Sequence, residues 1–196
     1  GLRELLKDWD KAEVEDFIAK GYPDYWLGFT TEEQAYHAQI VREATAAGAA
    51  LHIANRIDTG RGVTEILVHT ADHPGLFSQI AGAMALADAS IVDARIVTLA
   101  DGMALDTFSI QDSRGGVFSE ADRIKRLKTY IADSLAGRLW PQRELQARRQ
   151  KAAANRTVVF RVPPAVLIDN KASQTHTVIE VNGRDRPGFL YDVKIG

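Results

Sequence analysis

The stretch 69-HTADHPGLFSQIAGAMALADASIVDARI-96 holds, in one run, the end of a β-rich segment, an Asp-His-Pro-Gly turn, an apolar helical stripe and the start of a second β-rich segment. Just upstream, 63-VTEILVHT-70 reads as a strand. Leu76, Phe77, Ile80, Ala81 and Met84 then recur at helical spacing, which predicts a helix from Pro74 to about Asp88. Nearly the same phrase returns as 182-NGRDRPGFLYD-192, with Asp185 standing where Asp72 stands in the first copy. The separation is too long for a solenoid repeat and suits a small domain that occurs twice.

Working downstream, 90-SIVDARIVTL-99 and 103-MALDTFSIQD-112 alternate as strands across 100-ADG-102, where Gly102 can take positive φ. Ile124, Leu127, Ile131 and Leu135 mark a helix between Ser119 and Gly137. Residues 141–154 are charged and alanine-rich, a helix or a linker, and 157-TVVFRVPPAVLI-168 is a strand interrupted by Pro163 and Pro164. The order strand, helix, strand, strand, helix, strand describes an α+β, ferredoxin-like βαββαβ unit with both helices on one face of an antiparallel sheet. A second unit begins at 174-QTHTVIEVNG-183 and is incomplete at Gly196.

Working upstream, Leu2, Leu5, Leu6 and Trp9 form one helical stripe, and Val14, Phe17 and Ile18 another, with Asp10 and Glu13 spaced as a cap and Gly21 as a stop. After the aromatic loop 21-GYPDYWLGF-29, Thr30 or Thr31 caps a helix running to about Ala47. These stripes have little visible partner within the chain. The expected organisation is therefore a helical segment 1–50, the tail of a larger region, then a first α+β domain with a linker helix over 51–170, then the start of a second unit over 171–196.

The 196 residues are 45% hydrophobic and 26% charged with net charge −2, an ordinary globular balance with no electrostatic case for nucleic acid. No apolar run reaches the roughly 18–20 residues that span a bilayer, and no signal peptide is visible. The chain has no cysteine, so thiol and disulfide chemistry are excluded, and a cytoplasmic setting is expected.

The repeated turn has a chemical reading. Pro74, with fixed φ and no N–H, suits the first position of a helix, and Gly75 lets the backbone approach whatever lies above that helix end. Free N–H groups there favour a carboxylate, and Asp72 can hold the loop or receive an ammonium group. Together they suit the two ends of an amino acid. Helix initiation alone would also explain an Asp-x-Pro-Gly turn, but less readily explains two copies.

A ferredoxin-like unit with Asp-x-Pro-Gly-Leu after its first strand resembles the ACT domain, a family of small-ligand sensors that usually bind amino acids. More closely, 61-RGVTEILVHTADHPGLFSQIAGAMALADASIVDARI-96, 102-GMALDTF-108 and 178-VIEVNGRDRPGFLYD-192 resemble the C-terminal tandem ACT region of the bacterial PII uridylyltransferase/uridylyl-removing family. The segment 25-YWLGFTTEEQAYHAQIVREA-44 resembles the part of that family leading into its ACT pair. The resemblance implies a glutamine-sensing regulatory region. Upstream domains would attach and remove uridylyl groups on the PII signalling protein with UTP and Mg. By position it implies ligand-binding residues Asp72, His73, Pro74, Gly75, Leu76 and Phe77, and in the second copy Asp185, Arg186, Pro187, Gly188, Phe189 and Leu190. Ile91, Val92 and Asp93, at the start of the neighbouring strand, would border the first site. Side-by-side ACT–ACT association is also implied. His73 stands where the family commonly has an uncharged or basic residue, and 193-VKIG-196 breaks off its helix.

No catalytic motif accompanies these features. The acidic pair in 8-DWD-10 lacks the Gly-Ser turn of a nucleotidyltransferase, no His-Asp doublet occurs, and His37, His52, His69, His73 and His176 lack metal-ligand spacing. Arg143, Arg148, Arg149, Lys151 and Arg156 read as a solvated helix face or a tether. Asp93, Arg95 and Asp106 interrupt apolar strands, explained equally by cross-strand pairing or by ligand contact. Two other readings stand beside the glutamine sensor: an ACT regulatory domain of an amino-acid biosynthetic enzyme, and a purely structural dimerisation or docking module.

Overall fold

A computed structural model describes residues 1–153, 165–169 and 178–182. Four helices come first: α1 (Leu2–Leu5), α2 (Lys11–Lys20), α3 (Pro23–Gly28) and α4 (Thr31–Ala46). An α+β region follows, with β1 (Leu51–Asp58), β2 (Val63–Ala71), α5 (Leu76–Leu86), β3 (Ala89–Arg95), β4 (Met103–Asp112), α6 (Ala121–Leu135) and α7 (Pro141–Ala153). Then come β5 (Ala165–Asp169) and β6 (Val178–Asn182).

The main sheet is antiparallel with order β1-β2-β4-β3, and β5 and β6 form a separate antiparallel pair. The α+β class and the antiparallel sheet agree with expectation, but the strand beside β2 is a different one. That place belongs to β1, paired along its whole length from Leu51 opposite Thr70 to Asp58 opposite Val63. With β1 on one side and β4 on the other, β2 has no free edge for the strand expected at 157–168. The described part of that segment, β5, pairs with β6 instead.

Residues directly opposite one another in an antiparallel pair share a face. On one face, Ile66 and Val68 of β2 lie level with Phe108 and Asp106 of β4, and α5 and α6 cover them through Ile80, Met84, Leu127 and Ile131. On the other face, Leu67 and His69 lie level with Thr107 and Leu105. Here the expectation that the N-terminal stripes lack a partner is overturned. Val14, Phe17, Tyr25, Phe29, Ala38, Ile40 and Val41 form one buried cluster with Leu67, Leu105 and Leu99. The helices and the main sheet form three layers, helices, sheet and helices, which explains why β2 is buried on both faces.

Local chemistry sets the helical layer. Asp10 caps α2 by accepting the Ala12 N–H at 2.7 Å. Thr30 and Glu33 close a reciprocal capping box on α4, an arrangement worth about 1 kcal/mol. Gly21 ends α2 in extended geometry; a Cβ there would lie 2.4 Å from the Trp26 ring, whose Nε1 donates to the Gly21 carbonyl. The basic segment forms α7 and is not a free tether: Leu145 is buried against Ala85 and Leu86, and Arg148 donates to the Leu86 carbonyl at 2.9 Å.

Candidate functional site

The Asp72–Phe77 phrase lies where β2 ends and α5 begins, on the face covered by α5 and α6. Helix α5 starts at Leu76, so Pro74 sits in the preceding turn and does not take the first helical position. Gly75 is the N-cap, with φ +88° and ψ −1°, a left-handed conformation that glycine adopts without Cβ strain. Among the described residues no side chain caps this helix. The Leu76 N–H reaches the His73 carbonyl at 3.1 Å and the Gln79 N–H reaches Gly75 at 3.0 Å. Phe77 and Ser78 hold the N–H groups of the first turn that helix geometry leaves unpaired. Their position, with the helix dipole behind them, suits an anionic group.

The six side chains divide by role. Asp72, His73, Pro74 and Gly75 are exposed. Leu76 is buried in the core and Phe77 stacks on Phe108 at 6.0 Å between centroids, so these two offer a ligand only their backbone. His73 Nδ1 lies 3.1 Å from the Pro74 carbonyl, and Ser78 Oγ donates to the Gly75 carbonyl at 2.9 Å. Asp72 anchors the turn twice: its N–H donates to Gly102 O at 3.1 Å, and its Oδ2 accepts from Thr98 Oγ1 at 2.5 Å.

Ile91, Val92 and Asp93 do not border this turn within the chain. The register sets Ile91 opposite Ile110 and Asp93 opposite Ser109, and these in turn lie level with Thr64 and Glu65 at the start of β2. Asp72 follows the other end of β2, roughly 24 Å further along at about 3.4 Å per residue. The antiparallel run of β4 between β2 and β3 places the start of β3 at the far end of the sheet. Asp93 lies 3.8 Å from Arg95, which also pairs with Glu33 and donates to the Gly28 carbonyl, so that charged group ties the sheet to α3 and α4. Asp185, Arg186, Pro187, Gly188, Phe189 and Leu190 lie outside the described residues, as does His176.

Two residues outside the motif bear on the turn, Thr98 directly and Asp106 through the neighbouring Val97. Thr98 supplies the hydroxyl held by Asp72. Asp106, 1% exposed in the middle of β4, accepts the Val97 N–H on Oδ1 at 3.3 Å, while its Oδ2 has no partner among the described residues. Burial pushes the Asp106 carboxyl up to about 7, the Val97 N–H opposing and the charge of Asp72 adding to the rise. An acid in the middle of the strand 103-MALDTFSIQD-112, flanked by apolar positions, is the sequence signal for it.

The histidines have structural roles or none evident. His37 is buried between Tyr25 and Phe29, with Nδ1 3.1 Å from the Tyr25 hydroxyl, and burial holds it down at about 4. Among the described residues no group of three or more His, Asp or Glu side chains could hold a metal ion. No described helix is long and apolar enough to cross a membrane.

Comparison with known proteins adds the wider context. No family model matches the chain, and no solved structure matches it. It is 51% identical over 193 residues, 98% of its length, to a bifunctional uridylyltransferase/uridylyl-removing enzyme of Azospirillum brasilense. Proteins of the same name from Gluconobacter oxydans and Rhodospirillum rubrum are each 47% identical over 97% and 98% of the chain. The chain spans only about a fifth of the length of these relatives, 20–21%. It is thus homologous, almost end to end, to one segment of much longer proteins.

Proposed function

We propose that this chain is the amino-acid-sensing ACT region of a bifunctional enzyme that attaches and removes uridylyl groups on the PII signalling protein, and that its ligand is glutamine. The observation that carries the sensing role is the turn ahead of α5, where an exposed Asp72 carboxylate precedes a helix start that no described side chain caps. Support for the parent activity comes from the names of the relatives aligned over 97–98% of the chain. Catalysis, with its UTP and Mg, belongs to other parts of such a protein, in the cytoplasm.

In this reading the ligand ammonium meets Asp72 and the ligand carboxylate meets the first turn of α5. An ammonium competes with the Thr98 hydroxyl for Asp72. Thr98 precedes Leu99, buried with the helical layer, and Ala100, whose N–H donates to the Lys20 carbonyl at 2.9 Å. Capture of Asp72 therefore bears on the segment that holds α2 against the sheet. Regulation requires that the ligand prefer one arrangement of these layers over another. Val92 on the edge strand β3 and Ile96 just after it are each 51% exposed, which favours self-association of such units side by side.

Thermal melts of the chain with added glutamine or glutamate test the reading. Glutamine at millimolar concentration is expected to raise the melting temperature, and glutamate to leave it nearly unchanged. An unchanged melt with glutamine contradicts the proposal.

A further inference from the structure

Asp106 is expensive where it stands. A fully buried carboxylate with one oxygen unpartnered carries a desolvation cost that an apolar residue of β4 would avoid. Its placement is specific. Strand β3 ends at Arg95, and the next ladder acceptor is supplied by the Asp106 side chain, which takes the Val97 N–H. The adjacent residue, Thr98, gives its hydroxyl to Asp72. Two carboxylates from different elements thus grip consecutive residues of one segment, beside the start of α5. Asp72 is the charged group whose field reaches Asp106, and α5 itself carries no ionisable side chain.

We propose that the free Oδ2 of Asp106 is a second receptor for the cationic end of the ligand, sharing with Asp72 an ammonium group that displaces the Thr98 hydroxyl. This deepens the amino-acid-sensing reading above and rests on it. It assigns the turn to ligands that carry a protonated amine and makes their binding proton-linked. Near neutral pH an appreciable share of Asp106 is protonated. An arriving ammonium favours the carboxylate and the Asp106 proton leaves to the buffer, so the two carboxylates and the ammonium together carry one negative charge. An occupied site is therefore less favoured as the pH falls.

The test is calorimetric titration of the 196-residue chain with L-glutamine at pH 7 in PIPES and in ACES, whose ionisation enthalpies differ. Wild type is expected to release a fraction of a proton per glutamine bound. Asp106→Asn keeps an oxygen for the Val97 N–H and is expected to melt no lower than wild type, to release no proton and to bind at least tenfold more weakly. The desamino analogue of glutamine, tested on wild type, is expected to release none, and this arm holds even if the variant does not fold. Binding of glutamine without proton release, or with full affinity in Asp106→Asn, overturns this proposal and leaves the sensing reading standing. No uptake of glutamine by wild type overturns both.

Discussion

The Thr98 hydroxyl donates to Asp72 Oδ2 at 2.5 Å, tying the turn ahead of α5 to the segment that leaves β3. The two residues are 26 positions apart, and both are exposed. An exposed bond of this kind contributes little by desolvation, so its significance is positional. It holds a carboxylate beside a helix start whose own N–H groups are unpaired.

Thr98→Val removes that donor while keeping the branched shape. The expected loss is about 1 kcal/mol in urea unfolding, because one hydrogen bond to a charged acceptor disappears at the surface. Asp72→Asn in the Thr98→Val background should cost less than Asp72→Asn alone, the sign of direct coupling. Equal costs in the two backgrounds would show that the contact carries no stability.

Much of this geometry was legible in the sequence. The turn, the apolar stripe of α5, the β3–β4 hairpin and α6 follow from spacing alone. Strand β1 was not legible, because 51-LHIANRID-58 places Asn55 and Arg56 in the middle of a weak alternation, and its pairing with β2 is a tertiary choice. The N-terminal helices follow from their apolar stripes, but the sheet face they cover does not. The clue lay in β2, where Leu67 and the rest of 63-VTEILVH-69 are buried on both faces. Within the site, Asp72 was found by its motif. Thr98 lies in no motif and reaches Asp72 only once the hairpin closes. Ile91, Val92 and Asp93 were misplaced because proximity along a sheet depends on register, which a single strand does not reveal.

The joint between layers gives a second prediction. Leu105 is fully buried and faces the N-terminal helices. Leu105→Ala should cost about 2–5 kcal/mol, through lost burial and the cavity left behind. Trypsin should then cut faster among the basic residues of the first 50, as the helical layer opens locally. A variant as resistant as wild type would place little of the layer's stability at this contact.

Titration gives a third. His37 is held at about 4 against an ordinary 6.5, so the unfolded chain takes the proton first, and this stability is lost as pH falls from about 6.5 to 4. His69, lowered by burial with both ring nitrogens unpartnered, adds to the same slope. Asp106 runs the other way. Raised from 3.8 to about 7, it contributes stability at low pH that is lost as pH climbs through 7. Wild-type unfolding free energy should therefore vary little between about pH 4.5 and 6.5. Asp106→Asn should show a clear rise over that window and be on the order of 2 kcal/mol more stable at pH 8. Parallel curves for the two proteins would remove Asp106 from the balance.

Backbone amide resonances followed during a glutamine titration test the sensing turn most directly. The expected result is saturable movement of Gly75, Leu76, Phe77 and Ser78, together with Thr98, and little change at Ile91–Asp93 at the far end of the sheet. Resonances of the turn that stay fixed at saturating glutamine, or movement confined to the start of β3, would contradict it.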